Sequence, residues 1–235
     1  MPLFPTGRVD VTQRPELVII RLGSGRDEVM LKIWGRLSSV NVQKVVWCAA
    51  ELGCRFERIE AGGAYGVVDT PEFHRLNPNR KVPVIDDDGF VLWESNAIVR
   101  YLCVKHGDAG LLPAALTARA ECDCWLDWQA TELTPSMRDA FWQLVRTAPQ
   151  ERQSAVIEDS VRRTEPLVAV LDEVLAEREY LVDGRFTMAD IVMACAVHRW
   201  QGLPIERISR PNVDKWFQRT SNRPSAHAVL RLPLE

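Results

Sequence analysis

The stretch Lys81-Val82-Pro83-Val84-Ile85-Asp86-Asp87-Asp88-Gly89-Phe90-Val91-Leu92-Trp93-Glu94-Ser95-Asn96 decides the fold. Two short apolar runs, Val82–Ile85 and Phe90–Trp93, flank Asp86-Asp87-Asp88-Gly89, and an Asp-Gly step between such runs is a strong hairpin signal. Ser95 follows at once, a favoured N-cap for a helix reaching about His106, with Gly107 beyond it. Upstream, Met30–Trp34 reads as a strand closed by Gly35. Val42, Val45, Val46, Ala49 and Leu52 then recur with helical spacing up to Gly53, and Arg55–Glu60 reads as a second strand. A glycine-rich loop (Gly62, Gly63, Gly66) and a polar segment holding Pro71 and Pro78 lead back to the hairpin. The order over residues 30–107 is therefore βαβ-ββα. The crossover makes the first two strands parallel, and the hairpin adds antiparallel strands at an edge.

Beyond a linker at Asp108–Pro113, everything reads as helix, so residues 114–235 are expected to form an all-α domain. Ala114–Arg146 is long and interrupted near Pro135. Glu151–Glu179 carries an apolar stripe and a bend expected at Pro166. Thr187-Met188-Ala189-Asp190 resembles a capping box, with Asp in place of Glu, for the helix holding Ile191, Ala194, Cys195 and His198. Shorter helices follow at Asn212–Arg219 and after Pro224. Residues 1–29 lack a clear period and read as an extension outside the fold, with one short strand at Leu17–Leu22. Translation of the natural protein is expected to begin at Met30, which the mass of that protein would test.

The composition, 46% apolar and 26% charged with a net charge of −3, is that of a globular chain. Nucleic acid is excluded as main partner by the lack of basic excess, and no apolar run approaches the ~20 residues of a membrane span. No secretory signal is evident, and the six scattered cysteines lack zinc-ligand spacing. They read as reduced thiols of a cytoplasmic protein without a metal site.

Three places could carry chemistry. Arg36-Leu37-Ser38-Ser39-Val40-Asn41 joins the first strand to the first helix, where ligands of α/β folds meet free backbone N–H groups. A serine hydroxyl there could stabilise a thiolate, or simply cap the helix. Val82-Pro83 could be a cis peptide that turns the Val82 backbone toward an extended ligand, or a trans proline on an edge strand. Glu94 and Ser95 suit an ammonium and a carboxylate, or form an ordinary cap beside a solvated acid.

Order and spacing bind these pieces together. Gly35-Arg36 … Ser39-Val40-Asn41 … Lys44-Val45, Asn77-Pro78-Asn79, Lys81-Val82-Pro83-Val84-Ile85 and Trp93-Glu94-Ser95-Asn96-Ala97-Ile98 … Tyr101-Leu102 resemble the N-terminal domain of soluble glutathione transferases. Tyr180-Leu181-Val182 … Phe186-Thr187-Met188-Ala189-Asp190-Ile191 resembles the same family's capping box and hydrophobic staple. The resemblance spans about residues 30–225 and is strongest to the bacterial theta-like branch, which uses Ser where other classes use Tyr.

The resemblance implies a thioredoxin-like domain followed by an all-helical one, with glutathione as co-substrate and a small electrophile as second substrate. It implies a homodimer, a cis Pro83, and a Val82 backbone paired with the cysteinyl part of glutathione. Glu94 and Ser95 would hold the γ-glutamyl end, and Lys81 would approach the glycine carboxylate. Ser39 is the expected thiolate partner, with Ser38 and Asn41 as rivals, and Arg36 lies near the mouth of the site. Trp125, Trp128 and Met137 are candidates to line the second-substrate site or to serve as core or dimer contacts. Thr187, Asp190, His106 and His198 read as structural. Absence of Cys before the first helix counts against disulfide-reductase branches. Competing functions are a non-catalytic interaction module on the same fold and a glutathione-dependent peroxidase or isomerase.

Overall fold

The computed structural model describes residues 18–19, 30–107 and 110–235. Five strands form one sheet: β1 (Val18–Ile19), β2 (Leu31–Trp34), β3 (Phe56–Ile59), β4 (Val84–Asp87) and β5 (Phe90–Trp93), in the order β1-β3-β2-β4-β5. β2 and β3 are parallel, as the crossover demands, while β4 pairs antiparallel with both β2 and β5. The β4–β5 turn narrows to Asp88-Gly89, both with positive φ (55° and 84°), the conformation of a type I′ hairpin turn. β1 pairs antiparallel with β3, so this part of the presumed extension is attached to the sheet. The rest of the expected Leu17–Leu22 strand, and the expected extension over residues 1–17 and 20–29, lie outside the described residues.

Helix α1 (Val40–Glu51) fills the crossover and is enclosed on nearly every side, with Val42, Val45, Trp47, Cys48 and Ala49 fully buried. A further helix, α2 (Pro71–Leu76), occupies the segment that reads as merely polar in sequence. Thr70 caps it, its hydroxyl accepting from the Phe73 N–H at 3.2 Å. Six residues with a single apolar anchor, Phe73, are too few to show a helical period. Helix α3 (Ser95–Lys105) follows the hairpin. Its N-cap is Glu94, at φ 72°, rather than Ser95, which is the first helical residue.

The second half is helical throughout: α4 (Leu116–Trp128), α5 (Thr134–Phe141), α6 (Ser154–Leu175), α7 (Met188–Gln201), α8 (Pro211–Ser221) and α9 (His227–Leu230). The expected interruption near Pro135 is a π-helical turn, Gln129–Leu133, that joins α4 to α5 without breaking the rod. Proline lacks the N–H that the carbonyl four residues earlier would accept, and a π turn absorbs that loss. A second π turn, Trp142–Arg146, ends the rod. α6 continues through Pro166.

One apolar core runs through both halves, because α1 packs against α3 on one side and against α7 and α9 on the other. Polar ties cross the same boundary. Arg223 makes two 2.8 Å contacts with the Glu51 carboxylate, and Gln43 donates to the Val229 carbonyl at 3.2 Å.

The α7 capping box closes as its sequence implies. The Asp190 carboxylate accepts from the Thr187 N–H (2.9 Å), the Leu181 N–H (3.1 Å) and the Trp216 indole N–H (2.8 Å), all fully buried. Removing it strands three N–H donors and the Thr187 hydroxyl in the core. Asp190→Ala is expected to cost about 3 kcal/mol in urea unfolding and to leave kcat in the folded fraction nearly unchanged. Full stability with lost activity would contradict this structural role.

Candidate active site

The residues singled out in sequence gather on either side of the first turn of α1. On one side a cavity of about 230 Å³ is lined by Arg36, Ser39, Gly62, Gly63, Val68, Arg80, Lys81 and Val82. On the other, a cavity of about 350 Å³ is lined by Asn41, Lys44, Glu94, Ser95, Asn96, Gln129 and their neighbours. Ser38 sits in the turn between β2 and α1 and lines neither.

Ser39 is the N-cap of α1, yet its hydroxyl makes no capping bond. The chain closes that turn through its backbone instead, with the Ser39 N–H donating to the Arg36 carbonyl and the Ser39 carbonyl accepting from Gln43. The hydroxyl is thus left beside unpaired helix N–H groups, where a negative charge is favoured. Opposite it, Val82-Pro83 is cis, and Val82 lies two residues before β4, outside the strand ladder. Asn77 holds this corner by donating its side-chain amide to the Lys81 carbonyl at 2.8 Å. The Arg36 side chain lies across Gly62 and Gly63. A Cβ at those positions would meet the guanidinium at 2.9 and 3.1 Å, which explains two glycines there.

On the far side, Glu94 is held in the left-handed region and is exposed, while Ser95 behind it is buried. A non-glycine residue with positive φ costs free energy and persists where its surroundings fix it, often at ligand sites. The Ser95 hydroxyl donates to Asn41 Oδ1 at 3.2 Å. Asn41 therefore belongs with Glu94 and Ser95, not with Ser39. Sequence spacing could not reveal this, since Ser39 and Asn41 flank a single residue.

Sequence reading did not single out Lys44, which lines the second cavity. It lies in α1, is 2% exposed, and donates from Nζ to Gln129 Oε1 at 2.7 Å and to Asn96 Oδ1 at 3.2 Å. Asn96 in turn donates to the Leu126 carbonyl at 2.6 Å, and Gln129 belongs to the π turn. Burial pushes the Lys44 ammonium down to about 7, with the nearby charge of Arg199 acting in the same direction. The signal available in sequence was a cation inside the buried run Val42–Ala49.

Trp125 and Trp128 form a T-shaped pair at 5.5 Å and Met137 is buried in the core; none lines either cavity. His198 stacks on Phe217, and burial lowers its pKa. Among the described residues no cluster of potential metal ligands occurs, and no helix is long and apolar enough to cross a membrane.

Comparison with known proteins supplies the context. Residues 29–103 match the family model of the glutathione S-transferase N-terminal domain, and residues 133–224 that of the C-terminal domain. Glutathione S-transferase GstB of Escherichia coli K12 is 36% identical over 207 residues, covering 87% of this chain and 100% of that protein. Glutathione S-transferase 3 of Zea mays is 31% identical, covering 87% and 95%. The crystal structure of a theta class glutathione S-transferase from Xanthomonas axonopodis pv. citri with glutathione bound is 42% identical. It superposes with a TM-score of 0.84 over 87% of this chain and 99% of that one.

The Lys44 environment makes a checkable prediction. From about pH 7 to about 10 the unfolded chain holds a proton on Lys44 that the folded chain has shed, so this residue's contribution to stability rises with pH across that window. The buried thiols, pushed up by burial, act oppositely above about pH 8.5, so the comparison must be with a variant. The stability difference between the wild type and Lys44→Met, from urea unfolding, should shift toward the wild type from pH 7 to 9.5. A pH-independent difference would contradict the depressed ammonium.

Proposed function

The chain belongs to the glutathione S-transferase family, and from that premise we propose that it adds the glutathione thiolate to a small, largely apolar electrophile. The observation that carries this reading is the Ser39 hydroxyl, free of capping duty at the mouth of α1 and lining one cavity with Val82.

Glutathione lies extended across the first turn of α1. Its γ-glutamyl end sits at Glu94 and Ser95, where an acid faces the ammonium and a helix start receives the carboxylate. Asn41 accepts from Ser95 and so orients that hydroxyl. The Val82 backbone N–H and C=O pair with the cysteinyl unit beside Pro83, and Lys81 meets the glycine carboxylate. The sulfur then falls by Ser39, whose hydroxyl donates to the thiolate, with Ser38 and Asn41 as rival donors and Arg36 as a nearby cation. A free thiol titrates near ~8.5, so this donor and the helix terminus serve to populate the thiolate near neutral pH. The thiolate forms its bond to the electrophilic carbon as the leaving group departs with its electron pair, and binding both partners in line supplies the rest of the acceleration.

Detoxification in the cytoplasm is the setting we propose, supported by six cysteines that are all unpaired. A homodimer is supported by the exposed Phe90 and Trp93 on the edge strand β5, and sedimentation at the mass of one chain would overturn it.

Calorimetry tests the site. Glutathione should bind the wild type in the micromolar to millimolar range, and Ser95→Ala should weaken it by about tenfold or more. Ser39→Ala should lower kcat by about a hundredfold and raise the pKa of bound glutathione, read by thiolate absorbance. A larger effect from Ser38→Ala or Asn41→Ala would transfer the role to that residue, and a folded protein that binds no glutathione would overturn the proposal.

A further inference from the structure

Two arginines, Arg146 and Arg199, share the Phe141 ring, and a third, Arg36, lies close enough for its charge to act on both. Arg36 lies in the Ser39–Val82 cavity, Arg146 ends the second π turn, and Arg199 is on the last turn of α7. Arg146 and Arg199 both pack on the buried Phe141 ring, at 5.2 and 4.0 Å, and Arg146 also lies 5.1 Å from the Trp142 ring. Trp142 is itself half exposed.

Among the described residues no Asp or Glu side chain pairs with any of the three. The buried Arg199 Nε has no hydrogen-bond partner. Arg146 donates to the C-terminal oxygen of Glu235, at a long 3.3 Å, while Arg199 has no such partner. Burial pushes Arg199 down to about 10, with the charges of Arg146 and Arg36 adding to it, and only the neutral-favouring Cys195 thiol acts the other way. Burial and then Arg36 lower Arg146 as well. Like charges brought together in a partly desolvated place are repulsive, and an anion with oxygen acceptors relieves the repulsion.

Resting on the transferase reading above, we infer that Arg36, Arg146 and Arg199 bind a carboxylate on the second substrate, so that the preferred electrophile is a small organic anion. The guanidinium forks supply paired donors for the two carboxylate oxygens, and the exposed Trp142 face supports the apolar body. This orients the molecule with its acid toward α7 and its reactive carbon toward Arg36 and Ser39.

Steady-state kinetics on 4-chloro-3-nitrobenzoate and 4-chloro-3-nitrobenzamide separate charge from shape. In both, the glutathione sulfur bonds to the ring carbon and chloride leaves with the electron pair. Each rate is normalised to its uncatalysed reaction. The benzoate should show a KM about tenfold below that of the amide. Arg199→Gln and, separately, the exposed Arg146→Gln should erase that advantage by raising the benzoate KM about tenfold, with smaller effects on the amide and on glutathione. Equal losses on both electrophiles, no preference in the wild type, or a raised KM for glutathione instead would overturn the inference.

Titration of the glutathione-saturated protein with unreactive 3-nitrobenzoate and 3-nitrobenzamide reads the subsite without turnover. Selective binding of the benzoate that Arg199→Gln abolishes, in a protein that conjugates nothing, would sink the transferase reading and keep the anion subsite. Conjugation without selective binding would do the reverse.

Discussion

A lysine enclosed without a carboxylate in hydrogen-bond contact gives up its proton near pH 7 because desolvating the charge costs several kcal/mol, and its N–H donors must still find acceptors, which the fold around Lys44 supplies. Lys44 sits on α1, the helix around which both halves pack. Its two hydrogen-bond acceptors come from different halves: Asn96 from the helix after the hairpin, and Gln129 from the π turn of the long helical rod. Satisfying the donors of one buried amine therefore ties the hairpin helix, the crossover helix and the second domain to one another. Residues 94 and 95 precede Asn96 directly, so the same bond positions the proposed γ-glutamyl end of the site.

The π turn shows how a local irregularity serves this arrangement. An α-helix that ran straight through Pro135 would lack a backbone bond there, and the widened turn gives Gln129 a side-chain direction that reaches Lys44. Gln129 also donates to Thr134, so its amide is held at both ends. The local helical defect and the buried lysine thus meet in one hydrogen bond.

The site itself combines rigid and permissive backbone. Gly62 and Gly63 let the Arg36 side chain lie flat, the cis Val82-Pro83 corner is held by Asn77, and Glu94 adopts a conformation that few acidic residues do. These features come from three loops, all at one edge of the sheet where β2 ends, β4 begins and β5 ends.

Periodicity and turn chemistry determined the element order by themselves. The Asp88-Gly89 turn, the Gly53 stop, the helical stripe from Val42 to Leu52 and the Thr187–Asp190 box are each local, and each reads correctly because neighbouring residues decide it. Helix α2 escaped because six residues carry no period, and Ser95 read as a cap because its hydroxyl resembles one, although it bonds Asn41 instead. Only the tertiary structure decided that Ser39 and Asn41 open on different cavities, that Lys44 is buried between two domains, and that Arg146 and Arg199 share one ring within reach of the Arg36 charge. Those groups lie up to 163 positions apart in the chain. Their approach, their shared desolvation and the unpartnered Arg199 Nε are properties of packing, which no local sequence pattern encodes.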